Sequence, residues 1–327
     1  MLTGLRGLAV LLVVGAHLAP FGLPLGGGGR LGVWLFFCLS GFLLTYPFLQ
    51  RSFFSISSKD WLKYAARRLI RIYPMYSVVL LIQLLTNYRS GEEALNHFLM
   101  KEGFGVFWTI PIEFKYYFII PVVVFVILVV LRKSLLCAFL LISAVFLAHH
   151  FVYPNSFERY PEHKFLLWLP DFLAGSLVAL VQVKIDERKL IDPKKNWRLF
   201  DVIGLIVFLL IALSYIPFQS FYSNITFLDY LSGTHLIKSL LWAGLICSLV
   251  NGRFLKKVFE TRFMVFFGNI SFSLYLTHRW IINLITQDVT WTGINFVKAV
   301  CLFLLSGYLG WRLIEKPAYE FAKKHLS

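Results

Sequence analysis

The chain has 327 residues, 58% of them hydrophobic and only 15% charged, with a mean hydropathy of +0.71. Soluble domains are nearer half apolar and a quarter charged, so this composition excludes a water-soluble fold and makes lipid the solvent. The net charge of +15 does not signal nucleic acid, because the cations fall in short blocks between apolar runs, where they set topology.

Apolar stretches able to cross about 30 Å of hydrocarbon recur along the chain. They predict ten helices, at 4–21, 31–50, 72–88, 108–131, 135–152, 165–183, 199–218, 232–250, 263–285 and 291–313. The expected fold is an all-α polytopic transmembrane helix bundle, a single domain over residues 1–327. The first helix has the outline of a signal peptide, with Arg6 before the apolar run Leu8 to Leu18. It contains His17 and leads into glycines without a small-x-small cleavage site, so it reads as a retained helix. The run Gly26-Gly27-Gly28-Gly29 reads as an external turn. It lacks the Lys-Ser/Thr and following helix of a phosphate loop. Before the third helix, Pro74 is expected to break the approach.

Charge supports this count. The segments 51–71, 132–133, 184–198, 251–262 and 312–327 hold 22 of the 32 Lys and Arg residues, and the alternate loops hold five. That is the positive-inside pattern, with both termini cytoplasmic. Within the helices, Lys238 and Lys298 lie near outer ends and are expected to snorkel. The four cysteines, Cys38, Cys137, Cys247 and Cys301, sit in apolar runs without metal-ligand spacing and read as small buried hydrophobes.

Ionisable residues inside lipid are costly and are functional candidates by default. Arg6 and His17 are eleven residues apart. At 100° per residue they share a helix face, roughly 16 Å apart along the axis. A guanidinium suits phosphate, and an imidazole is a base or nucleophile near neutral pH. The alternative is a snorkelling Arg and a packed His. Glu113, at the outer start of the fourth helix, has a predicted depth near that of His17. It either orients that imidazole or pairs with Lys115 or Arg279. Asp171, after Pro170, reads as a helix cap or anchor. Tyr275, His278 and Arg279 join the same outer cluster. On the opposite side, Arg67, Arg68 and Arg71 form a basic cluster in which Arg67 and Arg71 share a face. It suits either a polyphosphate, such as the nucleotide end of coenzyme A, or lipid headgroups. Glu315 is placed to salt-bridge this cluster.

Together these residues resemble the acyltransferase-3 family of polytopic membrane acyltransferases, over almost the whole chain. Gly4-Leu5-Arg6-Gly7-Leu8-Ala9 with His17 is similar to its Arg-x10-His signature. Phe36-Phe37-Cys38-Leu39-Ser40-Gly41 resembles its second-helix motif. Arg67-Arg68-Leu69-Ile70-Arg71-Ile72-Tyr73-Pro74 resembles its basic motif, and Trp108-Thr109 through Glu113 its Trp-Ser/Thr-x3-Glu segment. Pro170-Asp171, Ser271 through His278 and Glu315-Lys316-Pro317 follow in order. The chain departs from the pattern at Thr3 and Trp34, where Asp is common, and at Phe114, where Glu is common.

The resemblance implies transfer of an acyl group, often acetyl, from cytoplasmic acyl-CoA to a hydroxyl of an extracytoplasmic glycan or similar acceptor. It implies His17 as the catalytic residue, supported by Glu113, and Arg6, Arg67, Arg68 and Arg71 as donor contacts. Asp171, Tyr275, His278 and Glu315 are supporting residues. Acyl-CoA is a substrate, and neither a bound cofactor nor a metal is expected. The expected surroundings are the lipid bilayer of a bacterial inner membrane, with no nucleic-acid partner. The chain ends soon after Glu315 without the hydrolase-like domain of some relatives, so transfer is expected to finish in the membrane domain or on a partner. The competing reading is a transporter of a glycan or lipid-linked sugar with His, Glu and Arg lining its path. A membrane scaffold, in which these groups only pair structurally, is the third.

Overall fold

The computed structural model describes residues 1–18, 28–101, 103, 105–153, 161–187, 191–214, 235–286 and 293–326. The expected helix ends at 19–21, 215–218, 232–234 and 291–292, together with Gly26, Gly27 and Arg159, lie outside the described residues. Among the described residues every regular element is helical. In chain order these are α1 Leu2–His17, α2 Gly28–Leu49, α3 Ser58–Leu85, α4 Gly91–Phe98, α5 Thr109–Phe125, α6 Leu135–Val152 and α7 Phe165–Asp186. There follow α8 Pro193–Leu213, α9 His235–Asn251, α10 Phe254–Phe259, α11 Arg262–Asn269, α12 Ser271–Thr286, α13 Gly293–Gly310 and α14 Lys316–Leu326.

Seven of these stretches are long and apolar enough to cross a bilayer. The shorter apolar helices α1 and α9 also coincide with expected spans. The chain is a multi-pass membrane protein. Its outer faces are apolar, as at Phe118, Phe139, Leu147 and Leu205, and α6 and α8 bury little within the bundle. Cys137 and Cys301 are exposed on these faces, contrary to expectation, and Cys38 is buried.

Three boundaries differ from the hydropathy reading. The helix α3 begins at Ser58, because Ser57 and Asp60 form a reciprocal capping box that satisfies its first amides. The basic cluster therefore lies on the helix, and Pro74 sits inside it instead of breaking it. Charged residues in the first turns lower hydropathy without disturbing the helix. The ninth expected span divides at Ile270 into α11 and α12. The tenth runs on from α13 through a wide π turn, Trp311–Glu315, into α14. Pro317 lacks the amide that an α turn would use, and the widened turn before it accommodates the loss. In α5, Pro121 leaves the Tyr117 carbonyl without its helical donor, and the Tyr64 hydroxyl of α3 donates to it at 3.2 Å.

The core is built on backbone contact. The helix α2 packs most extensively against α7. There Gly41 faces the Phe172 carbonyl and Gly175 faces the Cys38 carbonyl. A Cβ on either would fall 2.1 Å or 2.0 Å from that oxygen. Without a hydrophobic drive between helices in lipid, such small-residue contacts supply much of the association. The outer end of α1 meets the start of α2, where Gly29 lies near Ala16 and His17. The inner end of α2 reaches α3 through the stacked rings of Phe48 and Trp61. The Met1 amino group lies 3.8 Å from Glu260, and Arg67 donates to the Leu326 carbonyl. Residues 1 and 326 thus lie on one face of the bundle, the face of the basic segments.

Two outcomes follow from this packing. Gly41→Ala and Gly175→Ala each force helix backbones apart. Each is expected to lower stability by about 1–3 kcal/mol, read as earlier thermal unfolding in detergent. On the other face, His97 of α4 is fully buried, with Nδ1 3.1 Å from the Tyr76 hydroxyl. Burial first, then the Arg89 charge, push its pKa down from the usual 6.5 to about 4. The folded state holds His97 neutral, and the unfolded chain takes up a proton below pH 6.5. Its contribution is complete above that pH and drains as the pH falls towards 4. Unfolding temperatures across this range should drop more steeply for the wild type than for His97→Asn.

Candidate active site

The face of α3 turned inward carries Tyr64, Arg68, Arg71 and Ile72, spaced by three and four residues as one helix face requires. With α1, α2, α5 and α12 it encloses a cavity of about 90 Å³, whose polar lining includes Arg6, Ser40, Arg68, Arg71, Glu113 and Tyr117. Phe36, Phe37 and Ile110 supply apolar wall, and Tyr275 closes the far end. A second cavity, about 220 Å³, lies on the basic face of the bundle and shares Leu43, Leu44 and Arg68 with the first. Its cations are Arg51, Lys63, Arg67 and Arg68, with Asp60 among them.

The polar groups divide by whether their hydrogen bonds are already made. Arg71 donates to Glu315 at 2.7 Å and lies over the Phe272 ring. The other Glu315 oxygen accepts from the Ser273 amide at 2.9 Å and from the Ser273 hydroxyl. Glu315 is buried, so this three-way clamp fixes Arg71 and ties α12 and the last helix to α3, as the sequence anticipated. Glu113 accepts from the Ser40 hydroxyl at 2.8 Å and the Tyr117 hydroxyl at 2.9 Å. In contrast, Arg6 makes no hydrogen bond or ion pair with a described residue. Arg68 Nε is buried without a partner among the described residues, and its guanidinium lies 6.0 Å from the Tyr64 and Tyr117 ring centres. Two cations with open donors therefore face one small buried cavity, a combination that calls for an anion.

Beyond Tyr275 is a separate polar centre. The Tyr275 hydroxyl pairs with Thr109 at 2.8 Å and donates to the Val106 carbonyl. Its ring centre lies 5.8 Å from that of His278. His278 is fully buried and meets His17 edge to face, with ring centres 4.9 Å apart. His17 is half-buried, and its Nδ1 lies 2.8 Å from the Val13 carbonyl. Around the site, Lys238 is buried with its ammonium 4.6 Å from the Trp34 ring centre, a cation–π contact. It does not snorkel. Among the described residues Lys298 is exposed, as expected of a snorkelling residue.

Several expectations change. Glu113 makes no hydrogen bond or ion pair with His17. It opens into the cavity of Arg6, about three helical turns from His17, and neither Lys115 nor Arg279 is its partner. The depth assigned to it from helix ends does not hold, since Ser40 and Tyr117, which donate to it, line the Arg6 cavity. Arg67 and Arg71 do not act on one site: Arg67 lies in the larger cavity and Arg71 in the smaller, and Arg68 is common to both. Asp171 does not cap α7, whose N-cap is Lys164. It lies within the second turn of α7, fully buried, and accepts from Ser239 of α9 at 2.5 Å. Ser40, Thr109 and Tyr117 were not singled out for roles. Tyr117 had a signal, since it lies four residues beyond Glu113 on the same helix. Ser40 and Thr109 meet their partners only across helices.

A family profile described as "Acyltransferase domain", of the acyltransferase-3 type, matches residues 2–315. The chain belongs to this family. It is 27% identical to the peptidoglycan O-acetyltransferase OatA of Listeria monocytogenes over 353 residues, covering 96% of this chain and 54% of the relative. It is 25% identical over 363 residues to proteins of Staphylococcus aureus strains COL and MSSA476 that are provisionally named O-acetyltransferases, covering 97% of this chain and 56% of each. The chain thus spans about half the length of the curated relatives it matches. No solved structure matches it.

The clamp gives a direct test. Glu315→Gln leaves the Arg71 guanidinium half-buried without its anion. It is expected to cost about 1–3 kcal/mol of stability after allowance for the partial exposure of Arg71. In an Arg71→Met/Glu315→Gln double-mutant cycle, thermal unfolding should show strong coupling between the two changes, and additive losses would mean that the pair is not a unit.

Proposed function

We propose that this protein transfers a short acyl group, acetyl in the first instance, from cytoplasmic acyl-CoA to a hydroxyl of an extracytoplasmic glycan. The observation that carries the reading is the pair of open guanidiniums, Arg6 and Arg68, in a buried cavity that continues into the basic vestibule of Arg51, Lys63 and Arg67. The vestibule belongs to the face of the positive-inside segments, which is the cytoplasmic face in this reading, and both described chain ends lie with it. A donor with a polyphosphate at one end and a slim thioester arm at the other fits that sequence of a wide basic space and a narrow enclosed one. The volume of about 90 Å³ in the inner cavity favours a small acyl group over a long chain.

In this reading Arg68, facing both spaces, meets the phosphates at the boundary, and Arg6 meets the inner polar part of the donor arm. Glu113, held by Ser40 and Tyr117, positions and neutralises the Arg6 side of the cavity and does not orient the imidazole. The acyl carbon passes Tyr275 and reacts at His17, whose Nε2 is the available ring nitrogen. Relatives named as O-acetyltransferases of peptidoglycan make a cell-wall glycan the first acceptor class to try. The bacterial sources of the relatives favour a bacterial cytoplasmic membrane as the location.

The test uses purified protein in detergent with radiolabelled acetyl-CoA and soluble peptidoglycan glycan chains. Label should reach the glycan with the wild type and not with His17→Ala. Arg68→Gln should raise KM for acetyl-CoA by about 10- to 100-fold, as expected for the loss of charge-assisted hydrogen bonds, with a smaller change in kcat. Transfer indifferent to His17→Ala, or donor KM indifferent to Arg68→Gln, overturns the corresponding assignment.

A further inference from the structure

The two facing imidazoles carry an inference that deepens this reading and rests on it. A carbonyl oxygen only accepts, so His17 Nδ1, 2.8 Å from Val13 O, bears the hydrogen. The same argument applies to His278, whose Nδ1 lies 2.7 Å from the Tyr275 carbonyl. Both rings are therefore locked in one tautomer by their own helices, and both leave Nε2 as a bare lone pair. For His278 that nitrogen is completely buried and has no hydrogen-bond partner among the described residues. Buried polar atoms in native proteins are nearly always partnered, and an exception at a reaction centre marks a group whose partner is a ligand. Ring centres 4.9 Å apart put the two imidazoles in direct edge-to-face contact, so a group carried on one ring lies beside the other.

One imidazole cannot perform both halves of a two-step transfer. While Nε2 of His17 carries an acyl group, its Nδ1 carries the hydrogen committed to Val13, and no lone pair is left for the acceptor's proton. We infer that His17 is the nucleophile that carries the acyl group, and that His278 is the separate base that deprotonates the acceptor hydroxyl. In the first half, His17 Nε2 bonds to the thioester carbonyl carbon and the C–S bond breaks. This leaves a thiolate and an acyl-imidazolium steadied by the Nδ1–H bond to Val13. In the second half, the acceptor oxygen bonds to that carbon, its proton passes to His278 Nε2, and the C–N bond breaks to restore neutral His17. The departed thiolate takes a proton from water and His278 returns its own to water, so the balance is thioester plus alcohol giving ester plus thiol. The two substrates need never meet, which suits a donor and an acceptor arriving from opposite sides of a membrane.

The experiment separates the halves. Wild-type protein, His17→Ala, His278→Asn and His278→Gln are mixed with radiolabelled acetyl-CoA, and thiol release and protein-bound label are followed before any acceptor is added. Asn retains a donor near the place of Nδ1 and removes Nε2. Gln keeps a polar atom near Nε2 but no base, and it serves if the Asn protein does not fold. The wild type and both His278 variants should release a burst of about one thiol per protein and place label on His17, and His17→Ala should do neither. Discharge of the label by peptidoglycan glycan chains or water should slow by about 100-fold or more in the His278 variants, the usual scale of general-base assistance. Discharge by hydroxylamine, which is nucleophilic without a base, should stay within about twofold of the wild type, an outcome that a merely structural role does not produce. Equal slowing of the burst and of both discharges, unchanged discharge by glycan, or steady transfer without burst or label each overturns the assignment. Absence of thiol release by the wild type with every acceptor removes the acyl-transfer reading itself, and this assignment with it.

Discussion

A bilayer supplies no water, so every polar group carried into it must find its partner inside the bundle or wait for one. This constraint sorts the interior of the protein. The Glu315 carboxylate is held through both oxygens by Arg71 and Ser273, Glu113 accepts at one oxygen from Ser40 and Tyr117, and Asp171 accepts from Ser239. Gln182 and Asn251 exchange hydrogen bonds with each other between α7 and α9. Even the carbonyl released by Pro121 has the Tyr64 hydroxyl. Among the described residues Arg6, Arg68 and His278 Nε2 keep open valences, as do the buried indole nitrogens of Trp242 and Trp280.

The close glycine contacts explain how so much polarity is held with so little slack. At Gly41 and Gly175 the backbones of α2 and α7 touch, which leaves no room for the two helices to slide or rotate. Ser40 is adjacent to one of these contacts, so its hydroxyl is held where Glu113 needs it. On α1, Gly4 meets the Phe259 carbonyl and Gly7 meets that of Met264, so Arg6 lies between two fixed points. The cavity is small because its walls are backbone-spaced, and that spacing limits the size of any group it can hold.

Much of the fold was legible in the sequence. Hydropathy marked the seven described helices that are long and apolar enough to cross a bilayer, because lipid exposure imposes a length and a composition that no other constraint mimics. What escaped was amphipathic or kinked. The helix α3 begins about four turns before its hydropathy does, and Pro74 and Pro317 sit within helices, Pro317 just after a widened turn. The site was legible as a list of residues and less so as a set of contacts. Glu315 with Arg71 came through, since opposite charges on the inner side have few alternatives. Glu113 with His17 did not, because the partner of a carboxylate depends on helix rotation and axial register, which a single sequence does not encode. The facing of His17 and His278 depends on how α1 and α12 pack, and nothing in their spacing of 261 residues announces it.

The wall made by Tyr275 and Thr109 has a consequence beyond chemistry. A cavity open to one side of a membrane and a polar centre nearer the other form, end to end, most of a pore. A continuous file of water through them would conduct protons and dissipate the electrical potential on which the cell depends. The two hydroxyls satisfy each other and the Val106 carbonyl, so no water is needed at that point to complete a hydrogen bond. The two polar centres are thereby kept apart at the level of Tyr275 and Thr109 without a water to bridge them.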